Sequence, residues 1–296
     1  MQGVVIPISM VPGNSIIHKI NPLPKLAWTV GILAVSFATR NIAVLGVTFL
    51  IGLGLVFLAG IFKDYLKVVM ILFPISLTLI VLQSIAPAFP QPWTPIATAG
   101  PFTIYQEGIY SGISLLLRIM AMTTFALVTI MTSHPSDLFT SLQKIGMPYV
   151  MNFILTMTLQ LIPILQSEFY VVLNAQKSRA MKGSGFGAIL PSMVPVFVGA
   201  IERVQQLSIS LESRAFGSTG HKTSFRNVKL DAKDVAVLVA GVLITLGVTV
   251  WVIVDKSLDW TYTLTFSPVF AITLVISATI GFLAFVFFAL RAVLSA

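Results

Sequence analysis

Long apolar runs alternate with short polar breaks along most of this chain. A helix that crosses a bilayer core needs about 20 mostly apolar residues. Six runs approach that length: roughly Leu26–Thr39, Ile42–Ile61, Leu66–Ala86, Ile109–Met131, Val235–Val254 and Pro268–Leu290. The first is short, and only Arg40-Asn41 separates it from the second. Between the fourth and fifth lies a stretch of mixed polarity, Thr132–Asp231. The pattern predicts an all-α integral membrane protein with about six transmembrane helices. It divides into a four-span N-terminal bundle (1–131), an intervening region (132–231) and a two-span C-terminal hairpin (232–296).

The intervening region has its own helical periodicity. Ser136-Asp137 after His134-Pro135 reads as a helix start, and Gly146 and Pro148 end a short helix over Ser136–Ile145. A long helix is expected over Tyr149–Met181. There Phe153, Ile154, Met157, Leu161, Ile164, Leu165 and Val172 recur mostly at steps of three or four. Pro163 should kink it. Gly183, Gly185 and Gly187 are expected to break the pattern, with a further helix starting near Pro191-Ser192, Pro195 in its first turn, and ending at Gly217 and Gly220. Hydropathy alone would allow both long helices to cross a membrane. However, Asn152, Gln160, Gln166, Glu168 and Asn174 interrupt the first, and Glu202, Arg203, Gln205 and Gln206 the second. Charges in hydrocarbon are costly. The pattern therefore favours long amphipathic helices at or below the membrane interface.

Composition agrees with a bilayer environment. Residues are 56% hydrophobic and only 9% charged, against about 25% charged in soluble domains. The net charge of +8 would suit nucleic acid, but its distribution is topological. Basic residues accumulate on the cytoplasmic side of membrane proteins. With the N-terminus inside, 15 of the 18 Lys and Arg fall in cytoplasmic segments, leaving Arg40 and Lys256 outside and Arg118 within the fourth span. Both termini and residues 132–231 are thus expected in the cytoplasm, and no nucleic-acid partner is expected. No cysteine is present, which excludes disulfides and thiolate metal sites. His18, His134 and His221 are too far apart to suggest a metal site. Met1–Ile17 lacks a basic stretch followed by a cleavage site, so no cleaved signal peptide is expected. The proline-rich segment Pro87–Glu107 reads as an external connector, with Trp93 at the interface.

One tripeptide occurs twice, as Ser178-Arg179-Ala180 and Ser213-Arg214-Ala215. Each copy ends a helical pattern and is followed by glycine, at Gly183 and Gly217. A cation in a last helical turn gains about 0.3–1 kcal/mol from the helix dipole, and that suffices to explain one such arginine. The repetition points further. Small flanking residues leave room for close approach, and the guanidinium fork suits bidentate pairing with carboxylates. Two such tips suit two similar acidic grooves. Arg118 is the one charge in the middle of a span, a functional candidate by default. No span offers it a carboxylate, so a structural bond to a backbone carbonyl or a serine hydroxyl is the favoured role. No phosphate-binding loop or metalloprotease motif is present. An intramembrane enzyme and a stand-alone secondary transporter remain the alternatives.

These motifs carry a resemblance. The chain resembles the transmembrane T component of energy-coupling factor (ECF) transporters. Both arginine motifs match, the second as Ser213-Arg214-Ala215-Phe216-Gly217, as do the run Ala175-Gln176-Lys177-Ser178-Arg179-Ala180 and the N-terminal segment Ser15–Leu26. The family's motif often reads arginine–glycine; alanine follows both arginines here. The family also often has a basic residue before the isoleucine–proline pair, where this chain has Leu159-Gln160-Leu161-Ile162-Pro163. The resemblance implies cytoplasmic coupling helices that bind two ABC-type ATPase subunits through Ser178, Arg179, Ala180, Ser213, Arg214 and Ala215. It implies a separate membrane S component that captures a vitamin or metal ion. ATP would be bound by the partner ATPases, with no cofactor on this chain, in a prokaryotic plasma membrane.

Cysteines placed at Ser184 and Thr219 of this cysteine-free chain are expected to react with impermeant thiol reagents only from the cytoplasmic side. Reaction in intact cells would reverse the orientation.

Overall fold

A computed structural model describes residues 13, 15–88, 93–99, 102–144, 146–179, 186–218 and 232–254, with isolated helical positions at 273, 276, 277 and 280. In chain order the elements are α1 (Ile16–Lys19), α2 (Pro22–Ala38), α3 (Ile42–Ala59), α4 (Phe62–Ile85), β1 (Pro95–Ala99), β2 (Phe102–Tyr105), α5 (Gln106–Thr132), α6 (Pro135–Lys144), α7 (Tyr149–Ser178), α8 (Phe186–Ser213) and α9 (Ala232–Val254). Two compact units result: Met1–His134 with Leu230–Ala296, and Pro135–Lys229. Helices α3, α4, α5 and α9 lie on expected spans and are long and apolar enough to cross a membrane, and so is α7. The expected span Pro268–Leu290 lies almost wholly outside the described residues.

Side-chain caps set the helix starts. Asn21 Oδ1 accepts from Leu23 N at 3.2 Å at the head of α2. Asn41 Oδ1 accepts from Ala43 N at 2.8 Å at the head of α3. Each satisfies one of the amides that a helix leaves without a partner. Gly60, in the left-handed region at φ 71°, ends α3.

Helix α5 is the hub of the first unit and packs against α2, α3 and α4. Val56, Ile61, Tyr65, Leu127, Val128 and Met131 form much of its core, with Ile17 of α1. Close approach to α4 depends on the pair Gly108 and Gly112, a small-xxx-small spacing typical of packed membrane helices. A Cβ at Gly108 would lie 2.2 Å from the Gln83 carbonyl oxygen, and one at Gly112 would lie 2.8 Å from Ile80 Cα. On the other side, α9 packs on α2. Trp28 Nε1 donates to Val237 O at 3.2 Å, and Asn21 N donates to Asp234 Oδ1 at 3.2 Å.

A polar ladder fixes the register of α2 on α5. Lys25 Nζ, buried, donates to Thr132 O and Thr132 Oγ1 at 3.1 Å and to Ser133 Oγ at 3.2 Å. The hydroxyls of Thr29 and Thr129 meet at 2.7 Å. Arg118 Nη2 donates to Thr39 O at 2.7 Å. As the chain advances from Lys25 to Thr39, its partner retreats from Thr132 to Arg118 by the same number of residues, so the helices run antiparallel. Each helix supplies a cation to the carboxyl end of the other, where carbonyls have no intrahelical donor. Arg118 thus bonds a backbone carbonyl.

The connector after α4 contains a short hairpin where the sequence suggested only a surface segment. Strands β1 and β2 pair antiparallel, with Thr98 opposite Thr103. Pro95 is tolerated because it stands at the first strand position, where the register shifts. Glu107, buried in the first turn of α5, ties the hairpin down by accepting from Thr94 N at 3.0 Å and Thr94 Oγ1 at 2.6 Å. Trp93 packs edge-on against Tyr105.

In the second unit, α6 packs on α7, and Asn152 Nδ2 donates to Gln143 Oε1 at 2.7 Å. Helix α7 continues through Pro163. Helix α8 corrects the expected start near Pro191: it begins at Phe186, so Gly187, Pro191 and Pro195 lie inside it. Pro191 and Pro195 are four apart, so their missing amide bonds stack on one face near the helix start, leaving the rest of the ladder intact.

Gly108→Ala is expected to lower thermal stability in detergent by about 1–3 kcal/mol, because backbone cannot yield as a side-chain end can. Gly46→Ala, with open space around the new Cβ, should leave the midpoint unchanged or slightly raised. Equal midpoints for the two variants would contradict the α4–α5 contact.

Candidate functional site

Both copies of the repeated motif form the carboxyl-terminal caps of long helices. At the end of α8, Phe216 N donates to Leu211 O at 2.9 Å and Ala215 N donates to Glu212 O at 2.9 Å. This crossed pair of bonds is a Schellman cap, which needs a left-handed residue just past the helix. Ala215 is that residue, at φ 55°, alone among the described non-glycine residues in having positive φ. Glycine, which the resembling family often carries after the arginine, would occupy this position without a Cβ clash. Ser213 Oγ donates back to Ser210 O at 2.9 Å, satisfying a last-turn carbonyl. Arg214 is left as the exposed cap residue.

Helix α7 ends in a similar way. Arg179 occupies the cap position, and its N–H donates to Ala175 O at 3.2 Å and Gln176 O at 3.1 Å. Ser178 Oγ donates to Asn174 O at 3.0 Å. Arg179 is exposed. Ala180 lies outside the described residues, so the motif is described through Arg179 only. The ion pairs among the described residues are Asp64–Lys67 and Glu168–Arg203, and neither involves Arg179 or Arg214.

Contacts between α7 and α8 set the direction of the two tips. Phe216, turned back by the Schellman cap, packs against Tyr149 and Phe153 with ring centroids 5.7 and 4.6 Å apart. Further along, Arg203 Nη2 donates to Glu168 Oε1 in an ion pair. Moving up α7 from Tyr149 to Glu168 therefore moves back along α8 from Phe216 to Arg203. The helices are antiparallel, and their arginine tips point opposite ways. Between them lies a cavity of about 170 Å³ lined mainly by Met157, Leu161, Leu165, Val204 and Leu207, with Arg203 at its edge.

Within the second unit the structure places Ser178 and Arg179 at one end of the helix pair and Ser213, Arg214 and Ala215 at the other, while Arg118 belongs to the first unit. Three features escaped the sequence reading. Lys25 counted there only as an inside charge, and Glu168 and Arg203 only as polar interruptions. A signal for the last two was available: they are 35 positions apart, the spacing of the two arginines.

The described residues thus form a mainly helical chain with five helices long and apolar enough to cross a membrane, α7 of the antiparallel, arginine-tipped pair among them. The model of the cobalt transport protein (CbiQ) family matches residues 13–225, and the chain belongs to this family as an EcfT/CbiQ-like T component. Among relatives named energy-coupling factor transporter transmembrane protein EcfT, that of Leuconostoc gelidum subsp. gasicomitatum is 29% identical over 260 residues, covering 81% of this chain and 96% of its own. The Thermosediminibacter oceani protein is 24% identical over 262 residues, covering 80% and 94%. The Listeria innocua protein is 25% identical over 256 residues, covering 81% and 95%.

Ala215→Gly is expected to stabilise the α8 cap by about 1 kcal/mol, the order of the left-handed penalty for an L-residue. Ala215→Val should weaken it. Hydrogen exchange at the Phe216 amide reads both directions, and faster exchange in the glycine variant would contradict the cap geometry.

Proposed function

We propose that this chain is the membrane coupling subunit of an ECF-type importer. In this reading Arg179 and Arg214, with Ser178, Ala180, Ser213 and Ala215 around them, dock into carboxylate-lined grooves of two ABC-type ATPase subunits on the cytoplasmic face. Helices α7 and α8 carry movement of those subunits to a membrane S component that captures a vitamin or metal ion. The chain itself neither hydrolyses ATP nor holds a cofactor. Both termini lie in the cytoplasm of a prokaryotic cell, and the multi-pass bundle sits in its plasma membrane.

The observation that carries this reading is the duplicated cap. Two exposed arginines end two long helices that run in opposite directions. A dipole-capping role needs neither the repetition nor the antiparallel display. The names of the relatives agree, since each is an energy-coupling factor transporter transmembrane protein. Amphipathic helices at the interface suit transmission better than deeply inserted ones, because their polar residues remain near water.

Breaking a buried charge pair typically costs about 3–5 kcal/mol, because the remaining charge is stranded. Arg179→Ala or Arg214→Ala is therefore expected to reduce the ATPase that co-purifies with the chain from its native membrane. The double variant should do worse than either, because two docked tips reinforce one another through effective concentration. Lysine should rescue only in part, since it lacks the planar fork. Capping alone predicts a stability loss under about 1 kcal/mol with ATPase retention intact. Full retention in the double alanine variant, or ATP hydrolysis by the chain purified free of partners, would overturn the proposal.

A further inference from the structure

Glu168 and Arg203 stand where the geometry of the second unit singles them out. Each lies 11 residues before a motif arginine: Glu168 before Arg179 on α7, and Arg203 before Arg214 on α8. At 1.5 Å rise, each arm from the ion pair to its tip is about 16 Å long. Because the helices are antiparallel, the arms leave the pair in opposite directions. A local two-fold rotation through the pair exchanges the two tips. Such a disposition suits two partner subunits of similar shape related by a two-fold axis.

The aromatic contact at Phe216 anchors the helix pair 13 residues past Arg203, whereas the contact beside the ion pair is different. The side chains next to it are apolar and leave the cavity of about 170 Å³ between the helices. Apolar packing with a gap is non-directional and allows a helix to slide by a residue. An arginine–carboxylate bond is directional. Arg203 and Glu168 are each about two-thirds covered, with side-chain exposures of 35% and 31%, so neither is a free surface charge.

We propose that the Glu168–Arg203 ion pair is a positioning pin that keeps the two arms of equal length, so that Arg179 and Arg214 meet two ATPase subunits equivalently. The pin rests on the docking reading given above, but its geometry can be tested without any partner. The chain contains no native cysteine, so Ser178→Cys with Ser213→Cys places one spin label near each tip. Pulsed electron–electron dipolar spectroscopy on the full chain in detergent then reads the separation, expected at up to about 30 Å from the helix rise. The parent should give one narrow distance distribution. Glu168→Gln and Arg203→Gln should each broaden it about two-fold in width. The charge swap Glu168→Arg with Arg203→Glu should restore it, which controls for variants that merely fold poorly. In the unlabelled full complex from native membranes, each single substitution should cut the ATPase retained after a salt wash about ten-fold, and the swap should recover most of it.

An unchanged distribution in the single variants would overturn the pin. So would broadening that the swap fails to reverse, or broadening with full ATPase retention. Failure of the docking reading is seen separately: Arg179→Ala with Arg214→Ala would then keep its ATPase, and the pin would lose its proposed role even with its geometry intact.

Discussion

A polar group in an apolar bundle must find its partner within the protein, and the α2–α5 ladder is where this chain meets that constraint. Helix α2 has 17 residues, about 26 Å at helical rise, slightly less than a hydrocarbon core of about 30 Å. It is held by what it bonds. Lys25 closes the carboxyl end of α5, Arg118 reaches the Thr39 carbonyl at the end of α2, and the Thr29–Thr129 contact sits between. A slip of one residue would rotate these groups about 100° out of line and strand two cations in an apolar setting. The ladder thus sets the register of α5, and α5 in turn seats α3 and α4. Beside the ladder, Gly241 of α9 admits the Trp28 indole, which a Cβ there would meet at 1.6 Å.

Much of this architecture was legible as hydropathy. The run Ile42–Ile61 became α3 at Ile42–Ala59, and Ile109–Met131 became α5 at Gln106–Thr132. Periodicity of apolar residues carries that information directly. The start of α8 was less legible, because proline and glycine signal a boundary locally while the helix passed through Gly187, Pro191 and Pro195. The hairpin at Pro95–Tyr105 was hidden because its anchor is a tertiary contact, Glu107 with Thr94. The repeated arginine motif was visible as text. Its geometry was not: the left-handed Ala215 and the direction of the tips depend on backbone angles and on which helix faces which.

The second unit joins two scales of organisation. Locally, each motif is a helix cap in which serine bonds back to its own helix. Globally, the caps end antiparallel helices whose contact includes tilted aromatic rings at Phe216 and one ion pair at Glu168–Arg203. The aromatic contact depends on the Schellman turn, so the backbone of the second motif also helps to fix the helix pair. The exposed Arg214 and the framework contact at Phe216 are therefore set within the same five residues, Ser213–Gly217.

The ladder on α2 also has a consequence for the order of synthesis. Thr132 is made 107 residues after Lys25, and Asp234, the partner of the Asn21 amide, comes 213 residues after Asn21. At roughly 5–20 residues per second, α2 leaves the ribosome about 5–20 s before α5 and about 10–40 s before α9. A short helix with a lysine at its head must wait that long without the residues that hold it.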